Sequence, residues 1–306
     1  MRFALALPTD QVHLPDEFVS GAAVAECSRH AEALGFAAVC VTDHPAPDQL
    51  WLDTGGHHAL DPMVALSFAA AATERIRLLT NIYVLAYRNP FLSAKTTLSL
   101  DVLSGGRLIL GVAAGYLRPE FGALGVDFDA RNDLTDEAID VIVRAWTESE
   151  VAYEGRGFRA RGVTMLPRPV AQPHPPIWVG GNSLRAIRRA VERAQGWMPF
   201  PNPAAASKAL KTPKIETTAE LADRIAFARA YAAEIDRTDP LDICIAPLSL
   251  THFGGGAFDP PRLLDEIATL AELGVTWAPV GFGAETRRDW CRRAEQFATD
   301  VLTPLA

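Results

Sequence analysis

The sequence predicts an α/β protein, a single (β/α)8 barrel spanning residues 1–306. Three observations carry this. A short apolar strand is followed by a helical stretch eight times over, the alternation of a barrel built from βα units. The strands are near-continuous apolar runs, as parallel strands buried on both faces require. The first strand leads into Pro8, Thr9 and Asp10, not into the G-x-G-x-x-G turn of the rival open dinucleotide-binding sheet.

The strands are expected at 3–7, 37–41, 76–85, 107–112, 177–179, 197–200, 242–248 and 275–280. The first is a short apolar run that Pro8 ends; with no small-residue cleavage site it reads as a strand and not as a leader. The second, in "AAVCVTDHP" (37–45), stops abruptly at Asp43 and His44, two ionisable side chains that a core does not accept unpartnered. After it, Asp61 and Pro62 open a helix as N-cap and first residue, and Asn89 and Pro90 repeat the device after strand three. Gly35, Gly105 and Gly274 follow helix ends, where a left-handed residue stops the helix. Two stretches interrupt the rhythm and read as insertions: 149–176, a hairpin-like segment with a proline-rich run, and 201–217, a loop over the barrel mouth.

The bulk numbers exclude several classes. With 49% hydrophobic and 22% charged residues the chain can build a large core, and a net charge of −8 argues against nucleic acid or an anionic membrane as partner. No apolar run reaches the ~18 residues of a membrane span. Cys27, Cys40, Cys244 and Cys291 form no C-x-x-C pair, which suits free thiols in a reducing cytoplasm.

In a (β/α)8 barrel the active site lies at the carboxyl ends of the strands, so the tips can be read in turn. They offer Thr9 and Asp10; Thr42, Asp43 and His44; Asn81, Ile82, Tyr87 and Arg88; Gly111, Ala114, Gly115 and Tyr116; Gly180, Gly181, Asn182 and Ser183; Pro199; Ser249 and His252; Gly281 and Gly283. A Schiff-base enzyme needs a lysine inside the barrel, but Lys95 is on a helix and Lys208, Lys211 and Lys214 are in a loop. Metal-dependent hydrolysis needs His, Asp or Glu on several tips, and only the second supplies a cluster, so no metal is expected. Strand four ends in Ala, Gly and Tyr, which removes one carboxylate of a glycosidase pair. What remains suits a large flat ligand that brings its own chemistry. "GGNSLRAIRRA" sets a glycine pair and Ser183 at a helix N-terminus, where a phosphate is favoured, with Arg185 and Arg188 close behind.

"VTDHP" (41–45), "LLTNIYVLAYRNPFLSAKTTLSLDVLSGGRLILGVAAGY" (78–116) and "PHPPIWVGGNS" (173–183) resemble the bacterial-luciferase-like flavin and deazaflavin oxidoreductases, in particular the F420-dependent branch. The likeness runs over nearly the whole chain. It implies a mouth that holds coenzyme F420, or alternatively FMN, with the ring inward and the phosphate near strand five. A non-prolyl cis peptide at Asn81–Ile82 would back the ring, Asp43 would hydrogen-bond the cofactor, and His44 would face substrate as proton donor or acceptor. Ala114, Gly115 and Tyr116, with Gly180, Gly181, Asn182 and Ser183, complete the implied cofactor set. Tyr116 departs from relatives that oxidise sugar phosphates, which carry a glutamate there. No cysteine stands at an expected strand tip, which leans towards hydride transfer and away from oxygen activation.

The reading that follows is a cytoplasmic F420-dependent oxidoreductase moving a hydride between the deazaflavin C5 and a small, fairly apolar organic substrate. An FMN monooxygenase using oxygen and a non-catalytic cofactor-binding barrel are the alternatives. The less favoured readings are that His44 caps the following loop, stacked against Pro45 and Trp51, and that Asp43 serves an Asx turn. His57 and His58, beside Gly55 and Gly56, read as a surface loop, and His252 with glycines 254–256 as the strand-seven loop. Substrate choice is expected in loops 44–61, 200–216 and 249–259. A homodimer is expected from the family likeness, through the alanine- and leucine-rich helices after strands two and three.

Overall fold

The computed structural model describes residues 1–250 and 258–305. His252 and glycines 254–256 lie outside the described residues. The strands are β1 (Arg2–Ala6), β2 (Ala38–Val41), β3 (Arg77–Thr80), β4 (Tyr83–Val84), β5 (Leu108–Ala113), β6 (Val151–Gly155), β7 (Phe158–Val163), β8 (Ile177–Gly180), β9 (Gly196–Met198), β10 (Asp242–Ile243) and β11 (Trp277–Val280). Eight positions pair in parallel in the order β10-β9-β8-β5-β3-β2-β1-β11, with β4 extending β3's place beside β5. A bridge between Cys244 and Trp277 joins the two ends and closes the barrel.

Burial alternates along each strand. Ala4, Ala38, Cys40, Leu79, Ile109, Trp178, Met198, Cys244 and Trp277 form one cluster, the barrel interior. Their sequence neighbours Leu5, Val39, Leu78, Leu108 and Val179 join the larger cluster under the helices. Trp178 and Trp277 meet edge to face at 5.2 Å and fill the interior. Gly111 is needed beside them: a Cβ there would lie 2.0 Å from the Thr80 carbonyl oxygen.

The helix signals act as read. Asp61 accepts from the N–H groups of Met63 and Val64, and Asn89 from those of Phe91 and Leu92. Gly274 caps the helix Pro260–Leu273 at φ 96°. The 149–176 insertion contains the antiparallel hairpin of β6 and β7, followed by cis prolines 167 and 173. Among the described residues, no helix is long and apolar enough to cross a membrane.

Two strands differ from expectation. Strand three is not continuous over 76–85: it breaks after Thr80 at a cis Asn81–Ile82 bond, resumes as β4, and turns into the 3-10 helix Leu85–Tyr87. Strand seven is two residues long where 242–248 was expected. Pro247 carries no N–H for a ladder, and the N–H groups of Leu248 and Ser249 turn to the Glu266 carboxylate.

Candidate active site

A cavity of about 370 Å³ opens at the carboxyl ends of the strands. Its wall takes in His44, Asp43, Asn81, Ile82, Ala114, Gly115, Tyr116, Gly180, Gly181 and Ser183. Asn182, expected to touch the cofactor, is not part of that wall. Its side-chain N–H groups donate to the carbonyls of Phe200 and Pro213, both at 2.9 Å, and its oxygen accepts from the Phe200 N–H at 3.0 Å. It ties down the 200–213 segment, whose Leu210, Lys211 and Thr212 form part of the cavity wall.

Asp43 reaches the cavity wall with both oxygens already engaged. Arg88 donates to Oδ2 at 2.6 Å and to Oδ1 at 2.9 Å, and the Val84 N–H donates to Oδ2 at 2.9 Å. The Arg88 guanidinium lies 4.1 Å over the Tyr83 ring. This bidentate pair locks the tip of β2 to the segment that follows the cis bond.

The next residue meets a group the sequence reading missed. Glu120, in the helix Arg118–Ala123, has no solvent exposure. Its Oε2 lies 3.4 Å from His44 Nδ1 and accepts the Tyr87 hydroxyl at 2.6 Å, and its Oε1 accepts the Ala46 N–H at 3.2 Å. Burial pushes this carboxyl's pKa up, but the His44 and Tyr87 hydrogen bonds outweigh it and hold it below the usual range. Burial, followed by the bond donated to Glu120, pushes the Tyr87 phenol well up. Burial also raises Tyr116, with the Glu120 charge adding to it. In sequence Glu120 reads as an ordinary acid in a helix first turn; the one local signal is its place between Pro119 and the apolar Phe121.

Aromatic rings pack around His44. Trp51, on the short helix Gln49–Asp53, lies 4.4 Å from it, and Tyr116 6.0 Å. His57, expected on a surface loop, stands in the cavity wall with its ring edge-on to His44 at 4.9 Å.

At the far side the cations differ from those expected. Arg185 is spent on Asp133 and Asp136, and Arg188 lies over Phe227 and Tyr231. Arg189 and Arg131 reach the wall instead, with Lys211. Arg189 is held by Asp136 and by the Asn132 carbonyl, and Arg131 by the Phe128 carbonyl at 2.9 Å. Because β10 is short, Cys244 also reaches the cavity, contrary to the expectation that no thiol stands there. Burial holds its thiol pKa far up, and it pushes that of Cys40 to about 12, so both remain protonated.

The profile described as luciferase-like monooxygenase matches residues 1–248. An uncharacterized protein of Mycobacterium tuberculosis is 31% identical over 294 residues, covering 92% of this chain and 94% of its own. The F420-dependent glucose-6-phosphate dehydrogenase of Intrasporangium calvum is 36% identical over 165 residues, 51% of this chain and 47% of its own. The FMNH2-dependent dimethylsulfone monooxygenase of Pseudomonas putida is 32% identical over 130 residues, 42% of this chain and 35% of its own. Among solved structures, monooxygenase RslO1 of Streptomyces bottropensis superposes with a TM-score of 0.78 at 22% identity over 100% of both chains, a likeness of fold.

Proposed function

The chain belongs to the luciferase-like monooxygenase family, whose members include F420- and FMN-dependent enzymes, and we propose that this one is an F420-dependent oxidoreductase acting on a small, fairly apolar organic substrate. The observation that carries the reading is the His44–Glu120 pair at the cavity wall.

The residues present fit a flat ring with an anionic tail. Gly180 leaves the wall open where a Cβ would come 2.2 Å from Ile82 Cδ1, and Ala113 and Ala114 are small beside it. Ser183, Arg131, Arg189 and Lys211 give the tail donors and positive charge. Bound F420 supplies a hydride acceptor or donor at C5 and reacts poorly with oxygen.

The protein's own part is to handle the proton. Glu120, ionised, accepts from Nδ1–H of His44 and fixes the tautomer whose lone pair is on Nε2. That nitrogen has no protein hydrogen bond among the described residues and serves as acceptor for a substrate hydroxyl proton. Protonated, the same ring is the donor for the reverse direction. Tyr116 and Tyr87 in the cavity wall favour an uncharged organic group beside them. Protonated thiols at Cys40 and Cys244 speak against reactive-cysteine chemistry.

Titrating the apo-protein with F420 and with FMN tests the cofactor. We expect F420 to bind more tightly, and preference for FMN overturns the choice. His44→Ala separates a catalyst from a storage barrel: turnover should fall while F420 affinity stays. For the assembly we propose a homodimer, since Val64 and Phe68 on one helix and Leu92 and Leu103 on the next are exposed. Sedimentation at a monomer's mass would refute it.

A further inference from the structure

Two histidines line this cavity, and their hydrogen bonds leave them alike. A carbonyl oxygen only accepts, so the 3.0 Å contact from His57 Nδ1 to the His58 carbonyl requires a proton on Nδ1. The Glu120 carboxylate imposes the same on His44 Nδ1. Each neutral ring therefore keeps its lone pair on Nε2, with no protein hydrogen bond to either Nε2 among the described residues. The rings stand edge to face, 4.9 Å between centroids. His44 is nearly buried, with 9% of its side chain exposed, whereas the His57–His58 contact faces the outside. His57 thus spans from the inner histidine to the mouth.

We propose that His57 is the second station of a proton path from His44: the two imidazoles hold one proton between them, and His57 passes it to water at the mouth. The idea rests on the reading of His44 as the residue that exchanges a proton with substrate. The steps balance without a co-reactant. The Nε2–H bond of His44 breaks as a bridging water gains that proton and gives one of its own to Nε2 of His57. That nitrogen then releases its proton to bulk water, and both rings return to the Nδ1–H form.

The surrounding charges fit a single shared proton. The groups acting on His57 are His44, Glu120 and Asp10, with its neighbour His58. Burial first, and then a charge on His44, disfavour a charged His57, while the His58 carbonyl, Asp10 and Glu120 partly offset this; the balance lies below the ordinary histidine value. Two adjacent imidazolium ions are thereby disfavoured, and one is tolerated. His57 acts through His44 and is a positioning and relay residue.

The test uses the apo-protein, so it stands apart from the cofactor reading; failure to bind F420 would defeat that reading and leave these measurements intact. Imidazole signals of the wild type, His57→Gln and His44→Asn are followed against pH by nuclear magnetic resonance. We expect the His57 midpoint to rise in His44→Asn by about half a unit to two units, the range for like charges at this spacing. With His44 protonated, its Nε2 proton should exchange with water about tenfold more slowly in His57→Gln, and added imidazole should restore the rate. A His57 midpoint indifferent to His44, or an exchange rate indifferent to His57, overturns the proposal.

Discussion

Oε2 of Glu120 is shared between Nδ1 of His44 at 3.4 Å and the hydroxyl of Tyr87 at 2.6 Å, on a side chain that no solvent reaches. A carboxylate can accept from both; an amide cannot without ambiguity. In Glu120→Gln the new NH2 group takes either the place of Oε2, facing both of these donors, or that of Oε1, facing the Ala46 N–H; in the first case a His44 that accepts from it must carry its own proton on Nε2. That tautomer offers no base to substrate. Turnover should fall by about two orders of magnitude while F420 affinity changes little, the pattern of a lost proton-transfer contact. Steady-state kinetics beside a cofactor titration reads it, and equal loss of both would assign Glu120 to binding.

The same carboxylate links stability to acid. Its folded pKa lies below the ordinary 4.5, so the stabilisation is present above that value and drains away as pH falls through the folded pKa. Glu120→Gln carries no such titration. Urea midpoints at about pH 6 and about pH 3.5 should therefore differ less in the variant than in the wild type. An unchanged difference would mean that Glu120 is not ionised in the folded protein.

Asp43 and Arg88 form a second, independent lock. Asp43→Ala strands the guanidinium and the Val84 N–H that its oxygens now satisfy. Losing one partner of a buried pair costs about 3–5 kcal/mol. The lower end applies here, because Arg88 keeps 20% of its side chain exposed and Asp61 stands 3.7 Å away. Arg88→Lys keeps the charge but not the fork, and should lose less. Chemical denaturation of both variants decides, and a near-neutral Asp43→Ala would show that the pair is replaceable.

These residues show what a sequence can disclose. Strand tips were readable because parallel strands are apolar runs with sharp ends, which put His44 and Asp43 at the mouth from "AVCVTDHP" alone. Capping made Asp61 and Asn89 equally plain. Glu120 was hidden because its partners lie 33 and 76 positions away, and only packing turns an acid of a helix first turn into a buried hub. Arg189 was passed over because helix phase, which turns Arg188 away from its face, was left out, and because Arg185 on that same face is taken up by Asp133 and Asp136. His57 looked like loop because its glycine neighbours signal a turn while saying nothing of what the turn folds back on. Cys244 was misplaced for one reason, a strand read five residues too long.

Asn182 offers the most direct test of how the cavity wall is kept in place. Its amide donates to carbonyls at both ends of the 200–213 segment, and Asn202 donates to the Thr212 and Pro213 carbonyls beside it. Asn182→Ala leaves the Phe200 carbonyl and N–H without this partner and the Pro213 carbonyl with Asn202 alone, which costs about 1–3 kcal/mol in a buried setting. Asn182→Asp keeps the shape but sets a carboxylate against two carbonyl oxygens, so it should be the worse of the two. The segment carries Lys208 and Lys211, two trypsin sites within the released stretch, with Lys214 just past its end. Limited trypsinolysis should cut there faster in both variants, by roughly the five- to 150-fold that 1–3 kcal/mol of local opening implies. Cutting at the wild-type rate would show that Asn202 and the backbone hold the segment unaided, and that Asn182 contributes to the barrel but not to its wall.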